Sequence, residues 1–474
     1  MYRQEFARLL SAAGTGLLTA ALVGCAASPP RSREAAAVQS AWVQAGPHPQ
    51  VRAVVAAGTQ CPAVLIDGQL RNMVPRVQAG TATARPTTAA PSKPSVFDVG
   101  VCEADVPAGA RAIRIGDRAL APIKDGPQRI IVLGDTGCRI SSTTAQPCND
   151  TAKWPFAQVA ARAAAMAPDL VIHVGDYHYR EAPCPAQLAG CAGSPWGYGW
   201  DGWKADFFDP AAPLLATAPW VFLRGNHEEC GRAGQGWFRL LAPEPYAARR
   251  SCDDPVNDDE ADFSEPYAVS LGRTLQLIVF DSARAGNRPL RKDNSKDELT
   301  RSRYLSQLRA VTALAAAPHL HSWFASHHPV LAFAPDPAHP GSAFPGNPAL
   351  QQTLREVNGD SYFAPGVQLA MHGHVHWFEA IAFASGHAPT LVAGNGGDHV
   401  DIDLPISNGS PAPGAHMAQI TQSNTIGFLL LQRDSADDDD WALSAFRADG
   451  SVLTRCELAA AADTLRCEPS GWIR

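Results

Sequence analysis

The chain has 474 residues, of which 46% are hydrophobic and 18% charged, with a formal net charge of -7. That length permits a large core and more than one domain, and the acidic balance argues against a nucleic-acid partner. Residues 1–24 read as a targeting segment. Arg3 and Arg8 make a basic start, and 9–23 is apolar and small, too short and too rich in Gly, Ser and Thr for a membrane span of ~20 apolar residues. Residues 25–47 are small and polar, as in a tether. Across 48–124, short β runs at 51–56, 63–66, 97–101 and 112–115 predict a small β domain, interrupted by a Thr/Ala/Pro loop at 80–95. From 125 to 474 strands alternate with helices, the pattern of an α/β layered domain. Helices are predicted at 156–166, 299–316 and 350–357, with Asp297 and Glu298 at the start of the second, where the helix dipole favours acids.

Five apolar runs in this region each end in oxygen or nitrogen donors. The run 129–133 leads into Gly134-Asp135-Thr136-Gly137, and 170–174 into Gly175-Asp176-Tyr177-His178-Tyr179. The run 220–224 leads into Gly225-Asn226-His227-Glu228, 323–326 into His327-His328, and 367–371 into His372-Gly373-His374-Val375-His376. Functional groups in open α/β sheets gather beyond the carboxyl ends of strands. Asp135, Asp176, Tyr179, Asn226, His327, His374 and His376 are therefore candidates for one site. Singly, each has an ordinary structural use, such as a Gly-Asp turn or an Asn helix cap. Their recurrence at five strand ends points to metal chemistry. Two ions ~3.5–4 Å apart need a bridging carboxylate, and Asp176 is centrally placed for it. His374 and His376, two apart on an extended stretch, face the same side.

Together these blocks resemble those of the calcineurin-like metallophosphoesterases and, more narrowly, of the purple acid phosphatases. The broader family often has Asp-x-His in the first block; this chain has Asp135-x-Gly137 and offers Tyr179 in the second. Phe324 stands in the fourth block where the purple pattern has Val. The resemblance covers about 129–376. It implies an α/β fold, a four-layer sandwich of two mixed β-sheets flanked by helices, here preceded by the small β domain. It also implies one ion on Asp135, Asp176, Tyr179 and His376, and another on Asp176, Asn226, His327 and His374. The first donor set is hard and anionic and suits Fe(III), whereas the second suits Zn, Mn or Fe(II). His227 occupies the position that stabilises the phosphoryl group or protonates the leaving group in that family. Arg139 and His328 are candidate substrate contacts, with His178 and His339 weaker ones.

Leu22-Val23-Gly24-Cys25 resembles the bacterial lipoprotein signal. It implies cleavage before Cys25, lipidation of that cysteine, and a membrane anchor in the cell envelope, on the periplasmic side or at the cell surface. Ten of the eleven cysteines remain, in sequence-local couples: Cys61 with Cys102, Cys138 with Cys148, Cys184 with Cys191, Cys230 with Cys252, and Cys456 with Cys467. Five disulfides in an oxidising compartment are expected, although spacing alone does not fix connectivity. The acidic run 437–440 reads as a surface turn rather than a calcium site. The expected activity is hydrolysis of phosphate monoesters outside the cytoplasm. Phosphodiester hydrolysis on the same metal core is the alternative, and a non-catalytic metal-binding surface lipoprotein is the reading from another class. An intact ligand set together with His227 favours an enzyme.

Overall fold

The computed structural model describes residues 38–85, 92–318, 320–336, 339, 341–406, 408–435, 440–459 and 464–474. The targeting segment, Cys25 and most of the acidic run lie outside the described residues. Two large sheets stack face to face. The first has the order Thr464–Glu468, Val452–Ala459, Trp441–Arg447, Gly427–Gln432, Arg129–Leu133, Leu170–His173, Trp220–Phe222, Val38–Gln44, Gln50–Ala56, Val99–Asp105, Val74–Val77. The second has the order Tyr267–Ser270, Leu275–Val279, His321–Ala325, Val367–His372, Thr390–Ala393, Phe378–Phe383, Met417–Ser423, Gly471–Trp472. Each has a parallel centre and antiparallel flanks, so both sheets are mixed.

Successive side chains of a strand point to opposite faces, and this alternation builds the layers. Ile130, Val132 and Ile172 turn inward against Leu277, Trp323, Leu369 and Leu391 of the other sheet. Ile131, Leu133 and Val171 turn outward onto Phe156, Val159 and Ala163 of helix Phe156–Ala165. On the far side, Ile278, Phe324 and Ala370 meet Tyr304, Leu308 and Leu354 of helices Ser295–Ala315 and Pro348–Asn358. Asn294 and Asn347 cap those two helices by accepting first-turn backbone N–H groups. The result is the expected order of helix, sheet, sheet, helix. Among the described residues no helix is long and apolar enough to cross a membrane.

Val38–Gln44, within the stretch expected to be a tether, is a mostly buried strand that pairs in parallel with Trp220–Phe222. Through it, Gln50–Ala56, Val99–Asp105 and Val74–Val77 extend the first large sheet. A four-stranded sheet made from Ala63–Ile66, Gln69–Asn72, Ile113–Ile115 and Arg118–Leu120 stands beside them. The junction is polar, and buried arginines reach across it. Buried Arg52 donates to the carbonyls of Leu240 (2.9 Å) and Ala242 (2.7 Å), and Arg76 to those of Arg239 (3.1 Å) and Phe238 (2.9 Å). These carbonyls close helix Gly234–Leu240, where cations and donors are favourable. Within the predicted loop 80–95, Gly80–Ala82 pairs with Ser95–Phe97, and buried Arg85 donates to the Cys252 carbonyl at 2.7 Å. The five cysteine couples, Cys61–Cys102, Cys138–Cys148, Cys184–Cys191, Cys230–Cys252 and Cys456–Cys467, are disulfide-bonded.

Glu379, on strand Phe378–Phe383, is fully buried; it accepts the Phe333 backbone N–H at 3.0 Å and the Gln422 amide at 2.7 Å. Burial pushes its pKa from the ordinary 4.5 up to about 8, against the pull of those two donors. The folded chain therefore holds this proton where the unfolded chain loses it. The associated stability is full below about pH 4.5 and is lost as pH rises through about 8. Glu379→Gln is expected to gain Tm over the wild type at about pH 8 and to show much less gain at about pH 4.5. Thermal unfolding at both values checks this, and a difference independent of pH contradicts it.

Candidate metal centre

The ligand candidates sit on turns that immediately follow parallel strands. Asp135 lies two residues past Arg129–Leu133, and its N–H donates to the Gly175 carbonyl at 2.9 Å, which ties the first turn to the second. Asp135, Asp176 and His374 adopt left-handed backbone φ values of 56°, 59° and 69°. Such conformations are costly for non-glycine residues and persist where the surroundings over-determine them. The turns also approach one another closely. A Cβ on Gly225 would lie 2.0 Å from Asp176 Oδ1, so only glycine fits there.

Two clusters result, and they share one atom. The Tyr179 hydroxyl is 2.9 Å from Asp135 Oδ1, 2.8 Å from Asp176 Oδ2 and 3.2 Å from His376 Nε2. His376 Nε2 is 3.4 Å from Asp135 Oδ1. On the other side, His327 Nε2 is 3.2 Å from Asp176 Oδ2 and 3.0 Å from Asn226 Oδ1, which in turn is 2.9 Å from His374 Nδ1. All seven candidates thus converge, and Asp176 Oδ2 faces both groups.

The remaining atoms of these side chains are already held. Asp176 Oδ1 accepts the His227 N–H at 2.9 Å, and Asp135 Oδ2 the His374 N–H at 3.0 Å. His327 Nδ1 donates to the Val174 carbonyl at 2.8 Å and His376 Nδ1 to that of His399 at 3.0 Å, which leaves each Nε2 lone pair aimed at the site. Glu228 accepts from the backbone N–H groups of Asp176, Tyr177 and Gly225 at 2.9–3.1 Å. Asp206 accepts from those of Cys138 (3.0 Å), Tyr179 (2.7 Å) and Arg180 (3.1 Å). His173 Nδ1 accepts the Gly175 N–H at 3.2 Å, so its Nε2–H donates to Thr136 Oγ1 at 3.0 Å.

The electrostatics call for cations. Asp135, Asp176 and Tyr179 are essentially without solvent contact. Burial, then Asp135 and Asp176, hold the Tyr179 phenol well above its ordinary pKa in the bare protein. Burial pushes His327 and His376 down, yet their acidic neighbours outweigh it and raise each to about 9. Carboxylates this buried need counter-charge, and a bound cation would favour the deprotonated phenol and the neutral imidazoles. The donor set fits two metal ions, which Asp135, Asp176, Tyr179, Asn226, His327, His374 and His376 would hold.

The other expected residues are placed as follows. His227 is buried, with its ring centroid 3.9 Å from that of Tyr179 and its Nε2 3.9 Å from Asp176 Oδ2. Glu181 Oε1 lies 3.3 Å from its Nδ1, and Arg232, 2.7 Å from the same oxygen, lies against the ring. Burial and Arg232 lower the His227 pKa to about 4, against Asp176 and Glu181. Arg139 forks onto buried Asp398 through Nε (2.9 Å) and Nη2, with its guanidinium 4.6 Å above the Tyr179 ring. His328 is buried, 4.1 Å from the His374 ring, with Nδ1 3.2 Å from Ser282 Oγ. His178 turns away to the Gly197 carbonyl at 3.0 Å, and exposed His339 pairs with Asp336 at 2.9 Å. Motif reading does not assign roles to Glu228, Asp206, Glu181 and Arg232. Glu228 was visible as the last residue of the third block. Asp206, which sits in a separate helical segment, carries no local signal.

Two cavities meet beside His374, about 320 Å³ and 380 Å³ in volume. The model of the calcineurin-like phosphoesterase family matches residues 128–378, more than half of the chain. The chain belongs to the calcineurin-like phosphoesterase family. It is a metal-dependent phosphoesterase, a hydrolase of phosphoric esters, and the family implies a two-metal centre. Comparison with curated protein sequences returns no match. Among solved structures, a purple acid phosphatase from yellow lupin (Lupinus luteus) seeds is 14% identical, with 88% of this chain and 73% of that chain covered at a TM-score of 0.47. PhoD is 12% identical, with 91% and 92% covered at 0.49. The anchor in the inner membrane complex of Plasmodium is 11% identical, with 71% and 89% covered at 0.40.

Proposed function

We propose that this phosphoesterase is an exported phosphomonoesterase of the purple acid phosphatase type, tethered to a membrane through lipidated Cys25. The observation that carries the catalytic reading is the approach of both Tyr179 and His327 to the same oxygen of Asp176, at 2.8 and 3.2 Å. Asp135, Asp176, Tyr179 and His376 would hold Fe(III); Asp176, Asn226, His327 and His374 would hold Zn, Mn or Fe(II). When bound, the ions supply Lewis-acid polarisation of the phosphoryl group and activation of the attacking water. Monoesters are favoured by the resemblance of Asp135-x-Gly137 with Tyr179 to the purple pattern.

His227 stabilises the phosphoryl oxygens or delivers a proton to the departing alkoxide, and Glu181 and Arg232 fix its ring for that task. Arg139, neutralised by Asp398, braces the Tyr179 ring, so any contact it makes with phosphate is through the part of the side chain left open. His328 supports His374 by ring contact. Disulfides persist in oxidising compartments, and the five found here support export, to the periplasm or the cell surface.

Hydrolysis of p-nitrophenyl phosphate is expected to exceed that of bis-p-nitrophenyl phosphate, Asp176→Asn to abolish both, and His227→Ala to lower kcat by roughly a hundredfold with metal content unchanged. Faster diester cleavage would move the substrate class to phosphodiesters. An Asp176→Asn protein as active as the wild type would end the binuclear reading. Mass spectrometry of the exported protein is expected to find a lipid-modified Cys25 at the mature N-terminus, and an unmodified N-terminus beyond it would refute the anchor.

A further inference from the structure

His374 lines two chambers of different character, one mainly apolar and one polar. The first runs from His374 and Val375 past Pro329 to Phe333, Pro335 and Phe344. The second runs from Asn226 and His328 toward Arg284, Arg288 and Lys296, with Glu229 and Asp297 among them, and is polar and mixed in charge on its far side. In the second, the two arginines are engaged, Arg284 with Glu229 at 2.7 Å and Arg288 with Asp297 at 2.5–2.9 Å.

The apolar chamber is a built wall. Phe333 belongs to a hydrophobic cluster with Val375, Trp377 and Ile381, and its backbone N–H is anchored on buried Glu379 at 3.0 Å. Strand Phe333–Pro335 pairs with Ala343–Pro345, which carries Phe344 to the same cavity. The ionisable groups on the chamber's lining, apart from the ligand His374, are carboxylic: Asp336 and Asp401. Among the described residues no lysine or arginine lines it. Its volume of about 320 Å³ is at the small end of ligand pockets.

We propose that this chamber seats the organic group of the ester, and that the enzyme selects phosphate esters of uncharged apolar alcohols or phenols against esters carrying a second anion. The proposal rests on the phosphoesterase reading of the metal centre. Apolar walls reward burial of a ring or alkyl chain. Asp336, paired with exposed His339, and Asp401, which accepts the His376 N–H at 2.8 Å, place carboxylate charge on the wall and oppose a further negative charge. Hydrolysis breaks the bond from phosphorus to the ester oxygen and forms one to the water oxygen. The protonated alcohol is left in the chamber.

The test compares 4-methylphenyl phosphate with 4-carboxyphenyl phosphate on the metal-loaded protein. The two are similar in size, and the carboxylated phenol is the better leaving group, so a preference for the methyl ester reports the chamber. The wild type is expected to favour the methyl ester in kcat/KM by roughly tenfold or more. Phe344→Ala narrows that ratio through the methyl ester, and Asp336→Asn narrows it through the carboxyl ester. The corresponding non-hydrolysable phosphonates, measured by calorimetry, are expected to bind with the same order of preference. Equal or reversed preference in the wild type, or a ratio unmoved in both variants, overturns the proposal while leaving the phosphoesterase reading intact. If neither ester is hydrolysed and the phosphonates still bind with the expected preference, the chamber stands and the catalytic reading falls.

Discussion

One carboxylate oxygen sets the design of this protein. Asp176 Oδ2 is approached by the Tyr179 hydroxyl at 2.8 Å and by His327 Nε2 at 3.2 Å, while Oδ1 is fixed by a backbone N–H. To put a single oxygen within reach of two ligand clusters, the chain bends Asp176 into the left-handed region and presses Gly225 against it. Both choices cost stability in isolation. They persist because Glu228 gathers the N–H groups of both turns and Asp206 gathers those around Tyr179. Buried carboxylates facing a phenol are unfavourable without counter-charge, which two bound metal ions would supply.

The layers serve the same end. Parallel strands in each sheet deliver their carboxyl ends to one edge of the sandwich, where the two sheets together contribute the seven ligand candidates. Three disulfides stand just beyond ligand turns. Cys138 follows Asp135 by three residues, Cys184 follows Tyr179 by five, and Cys230 follows Asn226 by four, and each is closed by a partner 7–22 residues on. Loops that bear function are otherwise the more mobile parts of a fold, and short covalent closures restrict the loops leaving these turns. The N-terminal strands add to the first sheet, and Arg52 and Arg76 lock them onto the carbonyl end of helix Gly234–Leu240.

Much of this was legible because it is local. Apolar runs ending in Gly-Asp, Gly-Asn-His or His-x-His announce strand ends and donors together, and the seven donors do converge. The layered α/β order followed from the alternation of strand and helix. What escaped was non-local. Val38–Gln44 read as a tether because, beyond its local pairing with Gln50–Ala56, its place in the large sheet comes from Trp220–Phe222, far along the chain. The ion pair of Arg139 with Asp398 spans 259 positions. Asp206 looks like any helical acid until Tyr179 and Cys138 are folded onto it. The apolar chamber beside His374 depends on how a hairpin packs against Glu379, and composition alone does not show that.

The central claim is that two metal ions share Asp176. Anomalous diffraction from crystals of the exported protein tests it most directly. The account predicts two metal peaks about 3.5–4 Å apart, one beside Tyr179 and the other beside His327, with Asp176 Oδ2 between them. A single peak, or two peaks that do not share Asp176, would contradict it.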